Sequence, residues 1–330
     1  MNLVTGATGH IGNVLVRLLR QRGEEVRALV LPDEDLTPLA GLEVDIVQGN
    51  VLQPESLQKA VQGIDTVFHL AGLISIMPGP NPMVRRIHIE GTRNIVEACR
   101  QQGVRRLVYT SSIHALGHPA HGMMIDETIQ FDPENAISAY DYAKAQASLD
   151  VLAAVQGGLD AVIACPTGVI GPWDFRRSEV GSIILDCVRG RQQLYVDGAY
   201  DFVDVRDVAN GLIQAREHGK SGETYILSGE QLSVQRLIHT LWEITGGRFK
   251  PMRIPFSLAR IAAWFTPLYY RLANARPRFT SYSLATLVSN STISHAKASQ
   301  ALGYAPRPLT QTLADTAHWF GENLARFKRH

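Results

Sequence analysis

Apolar and polar positions alternate along the first part of the chain in a way that predicts strands and helices in turn. Short continuous apolar runs are typical of buried strands, and each is followed by a segment with apolar residues at helical spacing. The predicted strands are a run ending at Val4 and residues 25–31, 44–51, 65–72, 105–112 and 159–164. This alternation indicates an α/β fold with a doubly wound parallel sheet.

Three glycines at intervals of three follow the first predicted strand and precede the first helix. Gly6 permits a tight turn, Gly9 lets the backbone approach a phosphate, and Gly12 lets the helix pack close to the strand. A strand, a glycine turn and a helix together place backbone N–H groups and a helix N-terminus against a pyrophosphate. A glycine-rich turn can be only a turn, but this strand–helix context favours dinucleotide binding.

Small and polar residues gather at the carboxyl ends of the predicted strands, where open parallel sheets bind their ligands. Asn50, after the third strand, could receive the amino group of an adenine. The predicted cofactor-binding residues are Gly6, Thr8, Gly9, His10, Ile11, Gly12, Asn50, Val51, Leu70, Ala71, Gly72, Lys144, Pro166 and Thr167.

The end of the second strand bears on which dinucleotide binds. An acid there accepts from a ribose 2′-OH, whereas an arginine there meets a 2′-phosphate. Val30 and Leu31 occupy the end itself and favour neither. Asp33, just beyond, could repel a phosphate or could be only a turn residue. The cofactor is therefore NAD or NADP, with a preference for NAD.

A tyrosine and a lysine four residues apart open the helix after the fifth strand. Tyr140 and Lys144 share one helical face, and a nearby ammonium is expected to lower the pKa of the phenol. Ser112, at the end of the fifth strand, could position a carbonyl or alcohol oxygen. Such a pair also occurs by chance, so its order after the glycine turn and the Ser-Ser strand end gives it weight. The predicted catalytic residues are Ser112, Tyr140 and Lys144, and the predicted substrate contacts are Ser111, His114 and Val169.

Length and charge narrow the class of protein. The 330 residues suit a large α/β domain with a smaller, mostly C-terminal α/β substrate lobe. We expect the first unit over 1–172 plus about 201–228, and the lobe over about 173–200 plus 229–330. A net charge of +1 favours no nucleic-acid partner. Three scattered cysteines indicate a reducing cytoplasm, and we expect no signal peptide, membrane span or metal site.

The ordered motifs closely resemble the extended short-chain dehydrogenase/reductase family over nearly the whole chain. The resemblance implies a Rossmann domain, NAD(P), a Ser112–Tyr140–Lys144 site, and a homodimer formed through helices over 84–102 and 140–155. The matching segments are 5–12, 69–72, 90–94, 109–112, 166–172, 202–209, 297–298 and 302–304, with Tyr140 and Lys144.

Within that family, two chemistries remain open. Sugar-nucleotide epimerases and dehydratases usually carry an Arg and an Asn where this chain has Cys165 and Gly168. They also often carry an Arg within the stretch that is 197–201 here, and a buried diphosphate needs such charged donors. An oxidoreductase acting on a secondary alcohol or ketone of a fairly apolar small molecule is therefore favoured. The alternatives are an epimerase/dehydratase with tightly bound NAD, its phosphates held by Arg176, Arg177, Arg189 or Arg191, and a non-catalytic dinucleotide sensor.

Several positions depart from the family pattern or stay ambiguous. His88 stands where the family usually has an Asn that helps to link water to the lysine, and Leu31 stands where an Arg would mark NADP. The aromatic segment 256–272 fits a lid or lobe core better than a membrane-surface or dimer helix. His114, His118 and His121 lack the additional ligands typical of a zinc site.

Overall fold

Seven parallel strands form the central sheet in the order β3-β2-β1-β4-β5-β6-β10. The computed structural model describes residues 1–75, 79–120, 122–263, 281–290 and 292–327. The strands are β1 Asn2–Thr5, β2 Val26–Val30, β3 Asp45–Gln48, β4 Thr66–His69, β5 Arg106–Thr110, β6 Ala161–Pro166 and β10 Thr224–Leu227. The prediction of a doubly wound parallel sheet is confirmed.

Helices cover both faces of this sheet, which explains why its central strands read as continuous apolar runs. One core cluster holds side chains such as Leu3, Leu57 and Val151, and the other holds Val4, Leu15 and Leu212. The helices are α1 His10–Gln21, α2 Pro54–Val61, α3 Pro82–Arg85, α4 Gly91–Gln102, α5 Ala139–Gln156 and α7 Val205–His218, with a π-helical turn at Arg86–Glu90.

Two small sheets and a third core cluster lie outside the central sheet. β7 (Gly168–Ile170), β9 (Ala199–Asp204) and β11 (Glu230–Ser233) form one sheet, and β8 (Gln193–Tyr195) pairs with β12 (Pro251–Arg253). The third core cluster joins three helices, α6 Glu179–Val188, α8 Val234–Ile244 and the helix Leu309–Glu322, through side chains such as Ile184, Leu241 and Phe320. Two further helices are Ser281–Leu287 and Ala296–Leu302. The division into two lobes stays a prediction.

Buried ion pairs fasten the C-terminal region to α7. Arg307 binds Asp207 through Nε and Nη2 at 2.8–3.1 Å. Arg206 bridges the fully buried carboxylate of Asp204, at 2.6 Å, and that of Asp315, at 2.7 Å. Within the part of the chain that the structure describes, no helix is both long and apolar enough to cross a membrane.

Candidate active site

The glycine turn after β1 forms a narrow cradle at the edge of the sheet. Gly6 has a φ of +66°, and a Cβ on Gly12 would lie 2.1 Å from the Gly6 carbonyl oxygen. The N–H of Gly9 donates to that carbonyl at 2.9 Å. No side chain among the described residues caps the start of α1, so its first N–H groups point outward unpaired by side chains. These features fit a dinucleotide pyrophosphate.

The turn after β4 lies directly against this cradle. The hydroxyl of Thr5 accepts from the N–H groups of Leu70 and Ala71, at 3.1 and 3.0 Å. A Cβ on Gly6 would lie 2.9 Å from the Ala71 nitrogen, so these two turns approach at backbone distance. Leu70, Ala71 and Gly72 therefore occupy the edge that the sequence predicts, and their contacts with a cofactor stay predictions.

The remaining predicted cofactor residues lie at the ends of β3 and β6. Asn50 Oδ1 accepts from the N–H of Leu52 at 2.9 Å, and Val51 is anchored through its carbonyl by Asn94 at 2.8 Å. The Thr167 hydroxyl donates to Asp201 Oδ1 at 2.6 Å. This bond holds the Thr167 side chain against β9, and the Thr167 N–H donates to the Leu227 carbonyl at 3.4 Å, so a contact with the cofactor stays a prediction.

The structure brings Ser112, Tyr140 and Lys144 together beside the glycine turn. Ser138 caps the start of α5 and thereby sets the position of Tyr140 in its first turn. The Ser112 side chain lies near enough to the Tyr140 hydroxyl to act on its pKa. Lys144 Nζ donates to the carbonyl of Thr110, the last residue of β5, at 2.6 Å. These side chains can bind and protonate a substrate oxygen.

The electrostatics of this group differ from the expectation in one respect. Burial raises the pKa of Tyr140 to about 12, and the nearby Ser112 side chain only partly opposes this rise. Burial also lowers the pKa of Lys144 to about 7, so its charge is weakened near neutral pH. The expectation that Lys144 lowers the Tyr140 pKa is therefore wrong for this structure, because desolvation dominates at both groups. At neutral pH, Tyr140 therefore keeps its proton.

The predicted substrate residues occupy different environments. The Ser111 hydroxyl lies 2.6 Å from the Ser148 hydroxyl and is buried against α5. His114 Nε2 lies 2.7 Å from the Tyr200 hydroxyl, and Val169 lies half-buried in β7. Ser111 thus has a structural contact, whereas His114 and Val169 keep accessible surface. Their substrate contacts stay predictions.

Glu34 is a candidate cofactor residue that the strand-end argument missed. Its carboxylate accepts from Thr8 Oγ1 at 2.5 Å, from the Leu31 N–H at 2.8 Å, and from Arg176. Asp33 has a φ of +61°, and this left-handed residue turns Glu34 back toward the glycine turn. The acid therefore lies at the end of β2, the usual place of the adenosine ribose. The only sequence signal was a cluster of acids in the turn.

Three of the four arginines suggested for a sugar diphosphate have other partners. Arg176 binds Glu34 and Thr8, Arg189 donates to the Phe327 carbonyl, and Arg191 binds Asp186 at 2.7 Å. These contacts do not support a shared phosphate site.

Two further expectations concern histidines and the aromatic segment. His88 lies edge-to-face with the Tyr140 ring at 5.4 Å, and its Nε2 lies 3.1 Å from the Leu73 carbonyl oxygen. His121 and residues 264–272 of the aromatic segment lie outside the described residues. In the ranges that are described, no group of three or more His, Cys, Asp or Glu residues could hold a metal ion.

The short-chain dehydrogenase/reductase class is defined by a parallel nucleotide-binding sheet with a glycine cradle, a Ser after β5, and a Tyr and a Lys on the helix that follows. Residues 2–228 match the family described as "NAD dependent epimerase/dehydratase family". The chain belongs to that family. It is an NAD(P)-dependent enzyme of the short-chain dehydrogenase/reductase type, as its sequence motifs predicted.

Relatives with assigned names are similar over nearly their full length. The chain is 36% identical to "Sterol demethylase protein B" of Methylococcus capsulatus, covering 97% of this chain and 98% of that protein. It is 29% identical to "3 beta-hydroxysteroid dehydrogenase/Delta 5-->4-isomerase" of Mycobacterium tuberculosis, covering 94% and 87%. The crystal structure of gox2253 superimposes with a TM-score of 0.85 at 34% identity over 99% of both chains.

Proposed function

We propose that this enzyme transfers a hydride between a nicotinamide cofactor and a secondary alcohol or ketone of an apolar, polycyclic small molecule. The observation that carries the proposal is the proximity of Ser112 to Tyr140, together with Lys144, whose Nζ donates to the Thr110 carbonyl at the end of β5. In the reductive direction, Ser112 orients the substrate oxygen and Tyr140 donates its proton. Lys144 holds the cofactor ribose and adds positive charge near the developing alkoxide.

The glycine cradle and Glu34 support NAD as the cofactor. The uncapped start of α1 and the close Gly6–Gly12 packing suit the pyrophosphate. Glu34 accepts from ribose hydroxyls and repels a 2′-phosphate. The cofactor supplies the hydride, and all the proton handling falls to residues of this chain.

The substrate class rests on the relatives and on the residues near the site. Two relatives carry names that refer to sterols or hydroxysteroids. Met123 and Met124, which follow the loop containing His114, are exposed apolar side chains. An epimerase or dehydratase remains the alternative, but the partners of Arg176, Arg189 and Arg191 weigh against a sugar diphosphate. A cytoplasmic location and a homodimer formed through α4 and α5 complete the proposal.

Replacement of the proton donor tests this function. Tyr140→Phe should reduce turnover of a steroid 3-ketone with NADH by about 10²- to 10⁴-fold, the usual contribution of a general acid. NADH binding, measured by fluorescence, should remain. Tyr142→Phe is the matched control, because Tyr142 lies on the same helix and its ring packs under Arg85 at 4.3 Å. Unchanged activity in Tyr140→Phe would refute the acid role. Tightly retained NAD with sugar-nucleotide binding and no net NADH consumption would favour the epimerase.

A further inference from the structure

Four half-buried side chains line a recess next to the Ser112–Tyr140 pair. Burial lowers the pKa of His114 and raises the pKa values of Tyr140, Tyr200 and Tyr282. Each of them nevertheless keeps accessible surface. Side chains that are surrounded by protein but still accessible face a concave space. The backbone N–H of His114 donates to Ser112 Oγ at 3.2 Å, so this recess adjoins the reacting groups.

His114 and Tyr200 form a neutral hydrogen-bonded pair in this recess. Their rings stack at 5.8 Å with an interplanar angle of 12°, and the Tyr200 hydroxyl lies 2.7 Å from His114 Nε2. If the Tyr200 hydroxyl donates to Nε2, the neutral imidazole carries its hydrogen on Nδ1. If Nε2–H donates to the hydroxyl oxygen, the hydroxyl hydrogen is free to donate to another acceptor. In either arrangement the pair retains one donor for a ligand oxygen.

A buried carboxylate lies behind this pair. Asp141 is 1% exposed, and its Oδ1 accepts from the Tyr282 hydroxyl at 2.9 Å. Its other oxygen is buried and has no hydrogen-bond partner among the described residues. The negative charge of Asp141 acts on both His114 and Tyr200. A second anion in the recess would be repelled in this weakly screened environment.

We propose that His114 and Tyr200 form a second substrate subsite, which binds an uncharged hydroxyl or keto oxygen remote from the reacting carbon, and that Asp141 makes this subsite reject carboxylates. This inference rests on the proposed hydride-transfer function. Tyr282, carried by the helix Ser281–Leu287, is a positioning residue that holds Asp141 in place. The subsite orients an otherwise apolar molecule in the cleft.

Binding of matched ketones to the NAD-loaded enzyme tests the subsite without requiring turnover. The probes are cyclohexanones with a methyl, hydroxymethyl or carboxylate group at ring carbon 4, and trans-2-decalones with the same groups at carbon 6. In calorimetry, the wild-type enzyme should bind at least one hydroxymethyl probe about 3- to 10-fold more tightly than its methyl counterpart, as for one hydrogen bond. The carboxylate probe should bind most weakly.

Variants test the donor pair of the subsite and the carboxylate of Asp141 separately. The double variant His114→Leu/Tyr200→Phe removes every side-chain donor of the pair and should abolish the hydroxymethyl advantage. Tyr195→Phe should preserve the advantage; Tyr195 is the matched control because it also pairs with a histidine ring, His239, at 6.4 Å. Asp141→Asn keeps an acceptor for Tyr282 and should increase carboxylate affinity about tenfold.

Each result discriminates. The absence of a hydroxymethyl advantage in the wild type, or its survival in the double variant His114→Leu/Tyr200→Phe, would overturn the subsite. Unchanged carboxylate affinity in Asp141→Asn would overturn the rejection mechanism. Failure of the hydride-transfer function would be distinguished by tight probe binding without any NADH oxidation by the wild-type enzyme.

Discussion

Among single side chains, Glu34 is the one that we propose sets the choice between NAD and NADP. Glu34→Gln keeps an acceptor but loses the negative charge that repels a 2′-phosphate. We expect the ratio of NADH to NADPH affinity to fall by about tenfold or more, as for one charged hydrogen bond. Fluorescence titration of both cofactors measures this ratio. Glu43→Gln is the control, since Glu43 also pairs with an arginine, Arg20, but at an exposed position. An unchanged ratio in Glu34→Gln would contradict the assignment.

His88 makes the stability of the protein sensitive to acid. Burial, with a smaller contribution from Lys144, lowers its pKa to about 3, whereas an unfolded histidine titrates near 6.5. Between pH 3 and pH 6.5, His88 is protonated in the unfolded chain but not in the native state. The contribution of His88 to the free energy of unfolding is therefore fully present above pH 6.5. It is lost as the pH falls toward 3, by about 1.4 kcal/mol per pH unit.

Urea unfolding at several pH values measures this dependence. His88→Asn should reduce the slope between pH 6 and 4 by about 1.4 kcal/mol per pH unit, while His69, whose pKa burial also lowers to about 3, keeps its own contribution. His318→Asn, at a surface position whose side chain is 76% exposed, should leave the slope unchanged. Equal slopes in the wild type and in His88→Asn would show that other groups cause the acid sensitivity.

The sequence indicated some of these side chains and not others for a physical reason. Tyr140 and Lys144 are one helical turn apart, so their shared face follows from local geometry. Glu34 reaches the cofactor edge only because Asp33 adopts a left-handed conformation, which few sequence patterns announce. The contact of Tyr282 with Asp141 joins residues 141 positions apart, and only the tertiary structure determines such a contact.

Among the helices, α1 depends on the absence of a side chain at Gly12. A Cβ there would overlap the Gly6 carbonyl oxygen at 2.1 Å, and that atom belongs to the rigid turn. Gly12→Ala should therefore destabilise the protein by about 1–3 kcal/mol despite a better helix propensity, and should weaken NADH binding. Thermal unfolding and cofactor titration measure both effects.

Gly321 is the matched control for this substitution. It lies in the helix Leu309–Glu322, and its Cβ would meet nothing within 4 Å. Gly321→Ala should stabilise the protein by about 0.5–1 kcal/mol through propensity alone. Equal effects of the two substitutions would exclude the close packing of α1 as the cause.

The predicted elements agree with the structure where periodicity alone decides them. Strands β2, β3, β4 and β5 fall within the predicted runs, and β1 and β6 extend one and two residues beyond theirs. The central strands read as apolar runs because both faces of a parallel sheet are covered. The single helix predicted from Val84 onward is instead a short helix, a π-helical turn and α4. The turn carries His88 against Gly72, where a Cβ would lie 2.4 Å from the imidazole. Apolar spacing does not reveal such a local change of helical pitch.

For the protein as a whole, several contacts connect the cofactor edge to residues far along the chain. His10 Nε2 lies 3.0 Å from the Pro172 carbonyl oxygen, and Asn13 Nδ2 donates to the Trp173 carbonyl at 3.2 Å. Arg176, in the same segment, donates to the carboxylate of Glu34. The segment after β7 thus packs against the start of α1. Cofactor binding at the glycine turn is therefore expected to order the segment that leads into α6.

The ion pairs around α7 hold the C-terminal region in place, and their loss should be costly. Arg307→Met would leave the buried Asp207 carboxylate without its guanidinium and would weaken the field around Asp204. Removing one partner of a buried pair costs about 3–5 kcal/mol, so we expect a loss near the lower end, since Arg307 remains partly exposed. Chemical denaturation measures this loss of stability.

Arg253→Met is the control, because it breaks a pair with Asp197 in which both side chains are more than half exposed. This substitution should change stability by less than about 1 kcal/mol. Similar losses in both variants would mean that burial does not determine the strength of these pairs, and that packing of the helix Leu309–Glu322 fixes the C-terminal region without them.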